Sequence, residues 1–149
     1  MIIKGNWKGQ YRYDNKSHQK MMGFDATNFE IDILSVDDAQ FTGSVTDDAA
    51  TGGMDGVGEI VGKVTGNKIE FVKQMPVAMF RDSKGTRRTL NKKHRKIYYS
   101  GIISEDGKEI AGVWLFKFGF IWIGIVPIPV NPITGTWKCV QWKNRLSFL

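Results

Sequence analysis

The sequence predicts an all-β protein: one antiparallel up-and-down barrel of eight strands, closed on itself, with a basic loop and an apolar insert. Three observations carry this. Residues 5–13 alternate strictly, with Gly5, Trp7, Gly9, Tyr11 and Tyr13 on one face and Asn6, Lys8, Gln10 and Arg12 on the other, the pattern of a half-buried strand. An apolar-x-Gly-x-apolar unit then recurs: after Trp7-x-Gly9-x-Tyr11 come Phe41-x-Gly43-x-Val45, Ile60-x-Gly62-x-Val64, Tyr99-x-Gly101-x-Ile103, Ile110-x-Gly112-x-Trp114 and Ile133-x-Gly135-x-Trp137. Glycine weakens a strand, so its repetition at equivalent inward places asks for a geometric reason. Tightly coiled strands crossing a narrow interior supply one. Finally, most strands meet their neighbours across short turns.

In chain order, Asp14-Asn15-Lys16-Ser17-His18 reads as a polar turn. Phe29, Ile31 and Ile33 point inward from the second strand, and Asp37-Asp38 turns the chain. Phe41 to Thr46 is the third strand, and Asp47 to Gly56 reads as a Gly- and Asp-rich loop. Glu59 to Thr65 pairs with Lys68 to Gln74 across Gly66-Asn67, a two-residue hairpin signature. Ile97 to Ser104 pairs with Lys108 to Phe116 across Glu105-Asp106-Gly107, and the last strand runs from Ile133 to Trp142. Two segments interrupt this rhythm: the stretch after Pro76, with room for a short helix near Val77 to Phe80, and the apolar run from Phe116 to Pro132. No linker divides the 149 residues, which form a single barrel domain.

Composition narrows the functional classes. One cysteine, Cys139, excludes an internal disulfide and fits a reducing, cytoplasmic setting. No signal peptide is evident. The net charge of +6 is concentrated: residues 81–96 hold eight basic side chains against one acid, Asp82. Within this run, Arg81, Arg87, Arg88, Lys92, Lys93 and Arg95 are candidates for contact with an anionic surface. The alternative is a solvated loop. Few aromatics accompany the run, so stacking on nucleic acid is not expected.

Catalytic patterns are missing from the sequence. Serine, histidine and carboxylates lack nucleophile-base spacing, and the pairs Asp37-Asp38, Asp47-Asp48 and Glu105-Asp106 all read as solvated turn residues. An isomerase or cyclase would need Glu59 or Glu70 inside the barrel, and the alternation places both outside. His18 and His94 with Cys139 assemble no metal site by spacing. A non-enzymatic protein without a cofactor is the expectation.

The motifs Gly5-Asn6-Trp7, Phe41-Thr-Gly-Ser, Tyr99-Ser-Gly, Asp106-Gly107-Lys108-Glu109 to Trp114-Leu115, and Trp137-Lys138 resemble the calycin superfamily of lipocalins, fatty-acid-binding proteins and avidins. Their order is most similar to that in avidins. The resemblance implies an eight-stranded barrel around a small ligand, with a basic residue over the first Trp, here Lys143 or Arg145. Avidin's ureido-ligating run is replaced by Lys8-Gly9-Gln10-Tyr11, so biotin is not implied. The Gly-x-Trp-x-Gly start is also similar to haem-binding nitrobindin-type barrels, which use a late His; neither His18 nor His94 occupies such a place.

An eight-stranded barrel is either filled by side chains or just wide enough for one small ligand. The inward residues Trp7, Tyr11, Tyr13, Phe71, Lys73, Tyr99, Trp114 and Trp137 are the candidate contacts for an apolar or amphipathic molecule, with Lys73 and the tyrosines orienting a polar or anionic head. In the alternative the barrel is packed, and the 116–130 insert and 81–96 loop form an interaction surface. That insert is too short to cross a bilayer as a helix. It reads as a segment packed on the barrel or within a homo-oligomer, as a flap over the mouth, or as a membrane or partner surface.

Overall fold

A computed structural model describes residues 4–81, 84, 86–90 and 93–142. Eight strands close an antiparallel barrel: β1 (Gly5–Tyr13), β2 (Thr27–Asp37), β3 (Gln40–Asp47), β4 (Val57–Thr65), β5 (Lys68–Gln74), β8 (Ile97–Ile103), β9 (Glu109–Phe116) and β12 (Ile133–Gln141). Each pairs with its neighbours in sequence, and β1 closes the ring on β12 with Tyr11 opposite Trp137. The remaining strands form two separate hairpins, β6 (Ala78–Arg81) with β7 (Arg87–Leu90), and β10 (Gly119–Ile123) with β11 (Val126–Val130).

The register divides the barrel into two unlike ends. At one end the connections are tight: Asp38 (φ 56°) turns β2 into β3, Gly66 (φ 61°) turns β4 into β5, and Gly107 (φ 73°) turns β8 into β9. Every long connection falls at the other end. A seven-residue helix α1 (Lys16–Met22) links β1 to β2, a 3₁₀ turn (Ala49–Thr51) sits between β3 and β4, and the two extra hairpins follow β5 and β9. We call this end the mouth.

Two local expectations are corrected. The polar turn after β1 continues into helix α1, because the Asn15 side chain accepts the His18 N–H (3.0 Å) and Gly23 (φ 84°) closes the other end. His18 therefore lies on a helix. The segment near Val77 to Phe80 is strand β6 and no helix, since it pairs with β7 from Ala78 opposite Leu90 to Arg81 opposite Arg87. A bulge at Leu34 shifts the β2–β3 register, so that the alternation changes phase after it: Ser35 is exposed and Val36 packs against the core.

The recurring glycines follow from strand crossing. A Cβ at Gly112 would collide with the Ser100 carbonyl, and one at Gly135 with the Arg12 carbonyl and the Trp114 ring. Two indoles exploit the space that these glycines leave. Trp114 Nε1 donates to the Arg12 carbonyl (3.1 Å), and Trp137 Nε1 to those of Ser100 (3.0 Å) and Val113 (3.1 Å). Each buried indole is thus both packed and hydrogen-bonded. Gly135→Ala should lower stability by about 2 kcal/mol through overpacking, measured by urea denaturation; an unchanged midpoint would show that β12 can shift away from Trp114.

Candidate functional site

The inward residues divide at the barrel's waist. Toward the tight-turn end, Trp7, Ile31, Ile33, Phe41, Ile60, Ile69, Phe71, Ile110, Trp137 and Cys139 surround a void of only about 10 Å³, less than one water needs. Toward the mouth, a cavity of about 330 Å³ remains. Of the eight candidate contacts, Tyr11, Tyr13, Lys73, Tyr99 and Trp114 line this cavity. Trp7, Phe71 and Trp137 lie away from it in the packed half. Phe71 stacks on Tyr99 (centroids 4.8 Å, planes 11° apart) and meets Trp137 edge-on. The barrel is therefore neither wholly filled nor wholly hollow.

Lys73 lines the cavity and is paired, outside that lining, with a buried carboxylate. Lys73 Nζ donates to both carboxylate oxygens of Asp47, at 2.7 and 2.9 Å, and the two side chains are 2 % and 0 % exposed. The ammonium also lies 5.0 Å from the centre of the Tyr11 ring and 5.8 Å from that of Tyr99. Asp47 corrects the sequence reading, which placed it with Asp48 in a solvated turn. Asp48 does cap the 3₁₀ turn, its side chain accepting from Ala50 N–H (3.1 Å). Asp47 instead ends β3 and continues the inward series Phe41, Gly43, Val45. That period-two extension was the available signal, masked by the Gly- and Asp-rich run after it.

Burial holds the phenols of Tyr11 and Tyr99 well above their usual range, the Asp47 charge adding to the effect. Both are therefore neutral hydrogen-bonding groups. Tyr11 Oη stands 3.5 Å from Asp47 Oδ2, a marginal contact.

The mouth's own elements form the upper wall. Helix α1 brings His18, Met21 and Met22, the loop before β4 brings Met54, and the segment before β8 brings His94. The β10–β11 hairpin adds Ile121, Ile128 and Val130. Strand alternation gave no warning of these residues, because they lie on a helix, on loops and on an insert. Both histidines consequently reach the cavity. His18 stacks on Tyr13 (4.5 Å). His94 Nδ1 lies 2.7 Å from the Arg95 carbonyl, which can only accept, so that nitrogen carries the proton. Among the described residues, no group of three or more His, Cys, Asp or Glu could hold a metal ion. Glu59 and Glu70 face outward.

The basic segment is partly committed to the fold. Arg87 Nη2 donates to the Gly53 carbonyl (2.7 Å) and lies 3.5 Å from Asp55. Arg95 Nη2 donates to the Phe118 carbonyl (2.9 Å), with its guanidinium 4.7 Å from the Phe116 ring. Arg88 and Lys93 are exposed. Lys92, like Lys143 and Arg145, lies outside the described residues, and Arg81 is described only in its backbone.

Fold and site together define a closed eight-stranded antiparallel barrel, packed in one half, with a mostly apolar mouth-side cavity that Lys73 of a buried ion pair helps to line. No protein-family model, curated protein or solved structure matches the chain.

Two predictions concern this site. Asp47→Asn leaves a buried ammonium without its counter-charge and should cost about 3–5 kcal/mol, seen as a large fall in Tm. Replacing the pair together, Asp47→Leu with Lys73→Met, should recover most of that loss; a double variant as unstable as the single would show that the pair itself is needed. The second concerns pH. Burial, reinforced by the nearby Lys73 charge, holds His94 below its ordinary value of 6.5. The unfolded chain then takes up a proton that the folded chain refuses, so stability should fall as pH drops below about 6.5. His94→Gln should flatten that part of the stability profile between pH 7 and 5 in chemical denaturation; an identical slope would assign it to other groups.

Proposed function

We propose that this protein is a non-enzymatic, calycin-type binding barrel that takes one small, largely apolar molecule into the mouth-side cavity. The carrying observation is the cavity's construction: mostly aromatic and aliphatic walls around about 330 Å³, with Lys73, two histidines and the tyrosines as its few polar groups. Small-ligand sites have volumes from about 300 Å³ upward and few, well-placed polar groups. A cytoplasmic setting belongs to the same reading. The lone Cys139 is buried, with its thiol pushed up to about 12, and behaves as a core residue rather than a reactive one.

The Lys73–Asp47 pair revises which ligand this barrel would prefer. An unpaired inward lysine would favour an anion. Here the ammonium is neutralised by Asp47, and an entering carboxylate would bring a second negative charge to a buried locus, at a desolvation cost that the lysine no longer offsets. An ammonium has three N–H groups, and Asp47, whose two oxygens lie side by side, cannot occupy more than two of them. The third suits a neutral acceptor such as a hydroxyl or carbonyl oxygen. The neutral phenols of Tyr11 and Tyr99 add hydrogen-bonding partners without adding charge. The favoured ligand is an uncharged apolar molecule with a single oxygen at its inner end.

Titration of intrinsic fluorescence with 2-naphthol and with 2-naphthoate tests this directly. The alcohol should bind at least about tenfold more tightly than the carboxylate on the same rings. Ile128→Trp, which fills the cavity from the half-exposed hairpin, should abolish binding without unfolding the barrel. Equal or tighter binding of the carboxylate would restore Lys73 as an anion receptor. No binding of either probe, together with a clean apo mass in native mass spectrometry, would defeat the ligand-binding reading.

A further inference from the structure

The β10–β11 hairpin carries far more apolar surface than the cavity needs. Its inner face supplies Ile121, Ile128 and Val130 to the cavity wall. On the opposite face Phe120 and Trp122 are exposed, as is Phe118 before β10, and toward the tip Ile123 and Val126 are exposed too, with Ile125 at 92 %. Gly124 (φ 62°) turns the chain there, in a left-handed conformation that favours glycine. Such a patch on a protein surface marks a partner or a membrane.

Three features choose between these. The first is charge. Lys117 is exposed beside the hairpin, its ammonium 4.2 Å from the centre of the Tyr98 ring, and the bond from Arg95 to Phe118 draws the exposed Lys93 and Lys96 to the hairpin's root. The tight turns at the far end of the barrel carry Asp37, Asp38, Glu105 and Asp106 against Lys68 and Lys108. The molecule is thus polarised, basic at its mouth. The second feature is the hairpin's edge. Pro127 and Pro129 stand opposite Trp122 and Phe120, the pairs whose N–H groups in an antiparallel ladder point away from the partner strand. Proline removes those donors from the β11 edge, while the ones of Phe120 and Trp122 stay on the β10 edge. The β11 edge therefore cannot add a strand from another protein, and it loses less when water is withdrawn. The third is length. Five residues per strand extend roughly 17 Å, too short for a bilayer core of about 30 Å. That length is ample for the 5–10 Å that an interfacial anchor penetrates.

We propose that the β10–β11 hairpin is an interfacial membrane anchor, inserting Trp122, Ile123, Ile125 and Val126 into an anionic bilayer while Lys93, Lys96 and Lys117 contact the lipid headgroups. The barrel's mouth is thereby held against the membrane. This does not depend on the cavity being occupied, because none of these anchoring residues lines it.

Sedimentation of the full chain with vesicles tests the proposal, using phosphatidylcholine alone and phosphatidylcholine with about one-third phosphatidylserine. At about 0.1 M salt, where exposed charges act over roughly 10 Å, the protein should sediment with the anionic vesicles and much less with the neutral ones. Ile125→Asp, a change at a fully solvated tip, should reduce that binding about tenfold or more, and Lys117→Gln about fivefold. An unaltered circular dichroism spectrum would show that both variants fold. Failure to sediment with either vesicle, or anionic-vesicle binding unchanged by Ile125→Asp, would overturn the proposal. So would a wild-type dimer that Ile125→Asp disperses and that ignores vesicles, which would assign the hairpin to self-association.

Discussion

Everything in this molecule depends on how closely its strands cross inside a narrow ring. Eight strands leave an interior only one or two side chains wide, and the chain fills its packed half with aromatic rings set among isoleucines. Indoles fit because the residues beneath them have no side chain: Trp114 lies over Gly135, and Trp137 over Gly101. The same indoles return hydrogen bonds to carbonyls on neighbouring strands. Glycine's cost in a strand is offset by aromatic burial and by satisfied N–H donors. Closure, packing and polar satisfaction are one arrangement.

That arrangement fills the barrel completely only toward the tight-turn end. Nearer the mouth the inward series meets Lys73 and Asp47, two charges that can stay buried only together. Their pairing has two consequences. It interrupts the hydrophobic filling of the barrel beside a mostly apolar space. It also cancels the charge that a lone lysine would present there, so a single carboxylate at the end of β3 sets the electrostatics of that space.

The barrel's asymmetry gives the mouth its other properties. Tight turns bring acidic residues to one end, where short polar loops are cheap to solvate. Long connections at the other end supply the helix, the methionines, both histidines and two hairpins. The β10–β11 hairpin closes one side of the cavity with one face and exposes the other. Arg95 ties its base to the barrel through the Phe118 carbonyl and the Phe116 ring. Cavity and exposed apolar surface are therefore neighbours by construction.

Alternation and spacing alone determined the barrel strands, their order, the inward glycines and five of the residues that line the cavity. These are local properties: a period of two fixes which face a side chain takes, and short turns leave little freedom in pairing. Tertiary structure decided the rest. Asp47 reads as a turn residue until Lys73, twenty-six positions later, is seen to approach it from β5. Trp7, Phe71 and Trp137 carry the same inward pattern as Tyr11 and Tyr99, but depth along the barrel separates packing from cavity lining, and depth is set by register between strands. His18 and His94 reach the cavity because helix α1 and the segment before β8 both sit at the mouth. The sequence determined which side chains turn inward; only the assembled ring decided which of them meet, and where the interior stays open.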